Sequence, residues 1–233
     1  MKRSQKMGGI AAIYQAAAYV AGMVFFLLVM DYTGVVDPVQ RVALLADNQL
    51  SLYIMNLVIY VVFGIFLVVL TLALHERLKT NAPSLMRTAT AFGLIWAGLV
   101  IASGMVANIG TGVVVDLYET DPTQAAMIWL AIDTIVEGIG GGNEIVGGLW
   151  VLLVSWAALQ TDGLPRVLNY LGLVIGLAGI VSAIPAFGDL GGIIFGLGQI
   201  VWFVWLGFVL LLSKTQATTQ HPDLLVPHHS TGN

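Results

Sequence analysis

The sequence predicts an all-α integral membrane protein built as a bundle of six transmembrane helices. Of its 233 residues, 58% are apolar and 9% are charged, against roughly 45–50% and about 25% in a typical soluble domain. The mean hydropathy is +0.90. This composition cannot supply a water-soluble surface, and it argues against a disordered chain, a nucleic-acid-binding protein and a charged soluble enzyme.

Six apolar stretches are long enough to cross a bilayer as helices. The hydrocarbon core is about 30 Å thick and a helix rises about 1.5 Å per residue, so a span needs roughly 20 apolar residues. The stretches that meet this requirement are residues 9–30, 50–74, 88–108, 142–159, 167–187 and 191–212. The first stretch follows a basic N-terminus, but it exceeds the roughly 7–15 residues of a signal-peptide core. We therefore expect it to be retained as a helix.

The basic residues indicate how the chain is threaded, because Lys and Arg in short loops stay on the cytoplasmic side. With six spans, eight of the nine basic residues fall on the side of the N-terminus, and only Arg41 falls opposite. The expected location is therefore the inner (plasma) membrane, with both termini in the cytoplasm. The eight residues are Lys2, Arg3, Lys6, Arg77, Lys79, Arg87, Arg166 and Lys214.

One membrane domain, residues 1–213, is expected to account for most of the chain. Residues 214–233 are polar and lack an apolar period, so we expect a disordered cytoplasmic tail. The chain has no cysteine, which excludes disulfides and thiolate metal sites. Three of the four histidines lie in the tail and His75 begins a polar loop, so no haem ligand lies within a span. We expect no cofactor and no metal.

Small residues predict where helices pack, because association in lipid depends on close backbone approach. Gly172 and Gly176 form one pair at helical spacing, and Gly192 and Gly196 form another. We expect both pairs at contacts within the bundle. The six tryptophans are expected in part at the two membrane interfaces. They are Trp96, Trp129, Trp150, Trp156, Trp202 and Trp205.

Charged residues at membrane depth are costly and are candidates for function. They concentrate before and within the fourth span, where Asp133, Glu137, Asn143 and Glu144 interrupt apolar sequence. On a continuous helix, at about 100° per residue, the three carboxylates lie within about 40° of one another. They would then form one polar stripe facing the bundle.

A run of glycines argues against a continuous helix in this region. Gly138 and residues 140–142 are all glycine, and each costs up to about 1 kcal/mol relative to alanine in a helix interior. We predict a short interfacial helix over residues 123–137 on the outer face, a glycine turn, and a spanning helix from near Asn143. The cluster would then lie at the outer mouth of the bundle. The predicted ligand-binding residues are Asp133, Glu137, Asn143, Glu144 and Gln199.

Several chemistries fit this cluster. Carboxylate and amide oxygens suit calcium or magnesium, although no regular ligand spacing is present. Proton or cation coupling and acid–base catalysis on a lipid headgroup are alternatives, the latter without a nearby nucleophile or histidine. In the simplest alternative, the carboxylates lie at the level of the outer headgroups or form hydrogen bonds with polar neighbours such as Gln199, Asn108 and Tyr118.

We predict a non-catalytic membrane protein whose outer-facing cluster binds a small ligand, a cation or a partner protein. An intramembrane enzyme acting on a lipid or apolar substrate is one alternative. An accessory subunit of a larger complex, or a homo-oligomer, is another. Beyond the lipid bilayer no partner is specified, and nucleic acid is not expected.

Two segments resemble a known family. The connection LALHERLKTNAPSLMRTATAFGLIWA and the later step at Leu164, Pro165 and Arg166, followed by Gly172 and Gly179, resemble the bacterial multi-pass family named domain of unknown function 4386. The resemblance implies six helices and no established activity. The family pattern has an arginine in the third span, where this chain has phenylalanine and glycine at positions 92–93.

Overall fold

The computed structural model describes residues 2–31, 35–141 and 144–213, and within them it contains helices and no strand. Nine α-helices occur in these ranges. They are α1 (Lys2–Leu28), α2 (Pro38–Asp47), α3 (Gln49–Asn56), α4 (Phe63–Leu78), α5 (Pro83–Tyr118), α6 (Pro122–Val136), α7 (Ile145–Thr161), α8 (Arg166–Val181) and α9 (Gly188–Leu212). Two π-helical segments, Leu57–Val62 and Glu137–Gly141, follow α3 and α6, and a 3-10 turn, Pro185–Phe187, precedes α9.

Within the described ranges, five helical stretches are long and apolar enough to cross a membrane, as expected of a membrane protein. They are Arg3–Leu28, Gln49–Leu78, Pro83–Tyr118, Pro122–Thr161 and Pro185–Leu212. The fifth predicted span corresponds to α8, which has 16 residues and a length of about 24 Å. Helix α5 has 36 residues, about 54 Å, so it extends well beyond the predicted span 88–108.

Six helices form a closed ring, because each packs against its predecessor and the last returns to the first. The order around the ring is α1, α4, α5, α7, α8 and α9, and α9 packs against α1. The closure is tight: a Cβ added at Gly9 would lie 2.7 Å from Leu211 Cγ. Helix α1 therefore begins beside the end of α9. We call this the terminal end of the bundle, and the opposite end the far end.

The first of the two predicted glycine pairs packs closely, and the second does not. A Cβ added at Gly176 would lie 2.6 Å from the carbonyl oxygen of Gly148, and one at Gly172 would overlap Ser155. Helices α7 and α8 thus approach backbone to backbone, as expected. A Cβ at Gly192 or Gly196 would meet nothing within 4 Å. The prediction for this second pair was wrong, because no helix among the described residues packs against this face of α9.

Three of the six tryptophans lie in the centre of the bundle rather than at an interface. Trp150 and Trp202 are fully buried. Successive ring centroids are 6.0 Å apart from Phe63 to Trp96, 5.6 Å to Trp150, 5.8 Å to Trp202 and 5.4 Å to Phe203. Phe203 returns to Phe63 at 6.4 Å. We call these five residues the aromatic cluster. Trp96, Trp150 and Trp202 therefore do not belong to interfacial belts, and the expectation that part of the tryptophans lie at the interfaces concerns the other three.

A second layer covers the far end. Helix α2, not anticipated from the sequence, begins where the Asp37 side chain accepts a hydrogen bond from the Val39 amide at 3.1 Å, as an N-cap residue does. Its Val42 and Leu45 are buried in a small core that α2 shares with α5 and α6. This layer gives the far end polar and apolar walls that the ring alone would not have.

Helix α6 lies close to the predicted bounds 123–137 and runs back along α5. The hydroxyl of Ser103 donates to the carbonyl oxygen of Val136 at 3.2 Å, and a Cβ at Gly110 would lie 2.6 Å from Ile132. The α-helical pattern ends at Val136, where the π-helical segment begins. The glycine-rich region therefore does interrupt regular α-helix, and α7 starts at Ile145, close to the predicted position.

Candidate functional site

A cavity of about 620 Å³ lies between α1, the first π-helical segment, α5 and α9. Its walls are mostly aliphatic and aromatic. The ionisable groups among the lining residues are the Glu144 carboxylate and the phenols of Tyr19 and Tyr60. A large apolar space with a few convergent polar groups is the usual form of a small-molecule site.

The cavity extends from the middle of the bundle toward the far end. Val100 and Ile200 line it near the midpoints of α5 and α9, whereas Leu27 and Ile193 line it close to the far ends of α1 and α9. Glu144, which immediately precedes α7, lines the same space. Its position at the outer mouth of the bundle stays a prediction.

The aromatic cluster closes the cavity toward the terminal end. Phe63 and Trp96 belong both to the cluster and to the cavity wall. The other three members lie farther along their helices toward the terminal end and are fully buried. A molecule in the cavity thus has no open path to the terminal end through these packed rings.

The side of the cavity opens between α1 and α9. Met23 and Leu27 on α1 are 42% and 63% exposed, and Ile193 and Leu197 on α9 are 59% and 52% exposed. All four line the cavity. Gly196 also lines it and leaves open space where a side chain would stand. The opening has an apolar rim on the lateral surface of the bundle.

Glu144 is positioned by the start of α7. Its backbone carbonyl accepts the first helical hydrogen bond, from the Gly148 amide at 2.7 Å. The side chain does not cap the helix, and within the described parts of the chain its carboxylate has no hydrogen-bond or ion-pair partner. The positive end of the helix dipole favours a negative charge here. Glu144 is thus held by its backbone, with its carboxylate free to meet a ligand.

A smaller cavity of about 280 Å³ lies beneath α2 at the far end. Asp133 and Glu137 line it together, in agreement with the predicted common face. Arg41 lines it as well, and its Nε donates to the carbonyl oxygen of Val35 at 3.2 Å. The one basic residue on the far side is therefore placed beside two of the carboxylates.

Tyr60 links the two cavities. It lines both, as does Phe26. Asp133 and Glu137 line the smaller cavity and Glu144 lines the larger one, so these carboxylates fall into two groups on either side of Tyr60.

The remaining predicted site residues fall elsewhere. Gln199 is fully buried, neither of its amide atoms has a protein partner, and it lines neither of the two cavities. Asn143 lies outside the described residues. Asn108 accepts a hydrogen bond from Asn56 at 3.0 Å, so it is engaged away from the carboxylates. In the part of the chain that the structure describes, no three His, Asp or Glu residues form a metal-binding group.

Sequence reasoning missed Tyr19, Tyr60 and Arg41 as site residues. Arg41 could have been found from the sequence, because it is the exception to the positive-inside pattern of the basic residues. Nothing comparable marks Tyr60, because a tyrosine among apolar residues reads as an ordinary core or interface residue. Its role follows from contacts between helices distant in sequence.

These features define a class: an all-helical protein with apolar helices of membrane-spanning length and a carboxylate-bearing cavity inside the bundle. The chain belongs to the family described as Domain of unknown function (DUF4386), which matches residues 12–209. The match confirms the resemblance found in the sequence, and the family is uncharacterised. No curated protein and no solved structure matches this chain.

Proposed function

We propose that this chain is a six-span inner-membrane protein that binds a small, largely apolar ligand bearing a cationic or hydrogen-bond-donating group. The observation that carries this proposal is the single carboxylate, Glu144, in an otherwise mostly apolar cavity of about 620 Å³. Binding would require no catalytic group. The predicted role of a non-catalytic binding protein is kept, with Glu144 as its centre.

The proposed topology places both termini in the cytoplasm. It is supported by the position of Gly9 beside Leu211, since an even number of crossings returns the chain to its starting side. Arg77 also belongs to the terminal end, where its Nε donates to the carbonyl oxygen of Gly163 at 2.9 Å. In this topology α8 is the short fifth span, and α6 with α2 forms the outer layer.

The proposed ligand follows from the chemistry of the walls. A volume of this size is within the roughly 300–1,000 Å³ of small-molecule sites. Aliphatic and aromatic walls favour a hydrocarbon chain or ring system, and a carboxylate in such surroundings favours an ammonium or another strong donor. Entry from the bilayer is supported by the apolar rim between α1 and α9. We therefore expect an amphiphilic amine to bind better than an alcohol of equal length.

A test can use bromoalkyl probes, because bromine in contact with an indole quenches its fluorescence and Trp96 lines the cavity. Purified protein in phosphatidylcholine nanodiscs is titrated with 11-bromoundecylamine and, separately, with 11-bromoundecanol. We expect saturable quenching by the amine, which Trp96→Phe removes. Glu144→Gln should weaken amine binding at least about tenfold, near 1.4 kcal/mol, and leave the alcohol unchanged.

The matched control is Asp189→Asn, which removes an exposed carboxylate in the first turn of α9 that does not line the cavity. It should bind the amine as the parent protein does. Equal amine affinity in the parent and Glu144→Gln would refute the proposal.

An enzyme acting on an apolar substrate would use the same cavity. Among the described lining residues, the groups able to exchange a proton are Glu144 and two phenols, and no serine, threonine or histidine is present. This lining supports binding over turnover. A role as an accessory subunit or homo-oligomer stays a prediction.

A further inference from the structure

We infer that the smaller cavity is an entry by which water and small cations reach Glu144 from the far end, with Tyr60 and Phe26 as its gate. Access to Glu144 is independent of which ligand the larger cavity binds. In the proposed topology, the far end is the outer face of the membrane.

The two cavities meet at shared residues. Tyr60 and Phe26 line both, so these two side chains stand between the space beneath α2 and the space at Glu144 where the two cavities meet. Phe26 comes from α1 and Tyr60 from the π-helical segment Leu57–Val62. A movement of either ring would join the two volumes.

Two other boundaries of the larger cavity do not suit a charged species. Toward the terminal end it is closed by the aromatic cluster. Its lateral opening is rimmed by Met23, Leu27, Ile193 and Leu197, and a hydrated cation does not cross an apolar rim from lipid without a large penalty. Of these three boundaries, the one at Tyr60 leads to charged side chains.

The smaller cavity has the charge expected of a cation entry. Asp133 and Glu137 face Arg41 across it, so two formal negative charges stand against one positive charge. Asn56 and Trp129 add polar groups to the same walls. A space lined by an excess of one charge raises the local concentration of the opposite ion. Cations should therefore enter more readily than anions.

Tyr60 is placed by two local features. It lies in a π-helical segment, a form of helix that occurs often at functional sites. Its Cβ approaches the backbone of Gly104 so closely that a side chain at that position would overlap it. The Tyr60 ring therefore projects from a locally widened helix against a glycine, which suits a side chain that must change position.

The absence of cysteine from the sequence makes each introduced thiol the sole target of a thiol reagent. Ala107→Cys reports on the smaller cavity and Gly140→Cys on the larger one. Both leave every carboxylate in place. A Cβ at Gly140 meets its nearest atom at 3.5 Å, an ordinary contact. Ala158→Cys is the control, since Ala158 is fully buried and lines neither cavity.

The reagents are the membrane-impermeant trimethylammonium-ethyl and sulfonatoethyl methanethiosulfonates, applied to either side of oriented vesicles. From the outer side, both reporter cysteines should react with the cationic reagent at least tenfold faster than with the anionic one. Ala158→Cys should not react. Adding Tyr60→Trp should slow the reaction of the cationic reagent with the thiol of Gly140→Cys at least fivefold. The rate of its reaction with Ala107→Cys should not change. If that variant does not fold, Phe26→Trp tests the same gate.

Failure of Gly140→Cys to react while Ala107→Cys reacts would show that the cavities are not connected. The inference would also be overturned if Gly140→Cys reacted from the cytoplasmic side alone, or if both reagents reacted at equal rates. It would likewise be overturned if neither Tyr60→Trp nor Phe26→Trp slowed the reaction. Each of these results is distinguishable from failure of ligand binding, which the bromoalkyl titration measures without any thiol.

Discussion

Replacing Gly176 with alanine should destabilise the bundle by acting on the backbone contact between α7 and α8. The added Cβ would lie 2.6 Å from the carbonyl oxygen of Gly148, 2.7 Å from Leu152 Cβ and 2.8 Å from the Leu152 amide nitrogen. Two of these atoms are backbone atoms of a helix, which cannot turn aside as the end of a flexible side chain can. The two helices must therefore separate.

The expected size follows from two opposing effects. Overpacking a close contact costs about 1–3 kcal/mol, and a rigid backbone neighbour favours the upper part of this range. Alanine in place of glycine in a helix gains at most about 1 kcal/mol. The net loss for Gly176→Ala should be about 1–2 kcal/mol. Gly192→Ala is the matched control, because its Cβ meets nothing within 4 Å and only the gain of roughly 0.5–1 kcal/mol applies.

The two variants should therefore differ by about 2 kcal/mol in the free energy of unfolding. Thermal unfolding in a mild detergent can resolve this, since 1 kcal/mol shifts Tm by roughly 2–4 °C in a protein of this size. Gly176→Ala should melt below the parent protein and Gly192→Ala at or above it. Equal stability of the two variants would refute the close approach of α7 and α8.

Three other experiments test contacts elsewhere in the bundle. Arg77→Lys should lower the free energy of unfolding by about 1 kcal/mol and speed proteolysis near Gly163, because an ammonium cannot reproduce the directed Nε–H bond to the Gly163 carbonyl oxygen at 2.9 Å. An unchanged rate of proteolysis would count against this role of Arg77. A double-mutant cycle of Asn56→Ala and Asn108→Ala, measured by reversible unfolding, should give a coupling free energy of about 0.6 kcal/mol, and at most roughly 1.7 kcal/mol, because the two amides are hydrogen-bonded. Additive effects of the two substitutions would show that the amides do not interact. Gln199→Met should leave Tm unchanged or raise it, since the buried amide nitrogen and oxygen of Gln199 have no hydrogen-bond partner among the described residues and the substitution removes both. A clear fall in Tm would contradict this expectation.

The membrane class, most of the helices and the common face of Asp133 and Glu137 followed from the sequence alone. The apolar runs are local properties, and their length is set by the thickness of the bilayer. The common face of Asp133 and Glu137 is also local, because a spacing of four residues places side chains on one side of a helix. The glycines after Glu137 interrupt the α-helix for a reason internal to that segment.

The tertiary structure decided which faces of these helices meet, and with them the site. Gly172 and Gly192 belong to similar motifs, but only Gly172 has a helix packed against it, and nothing in the motif records its neighbour. Glu144 lines a cavity together with residues of α1, α5 and α9, and Tyr60 lies between two cavities because α1, α5 and α6 converge there. Such arrangements depend on contacts between residues far apart in the chain, whereas periodicity and composition describe one segment at a time.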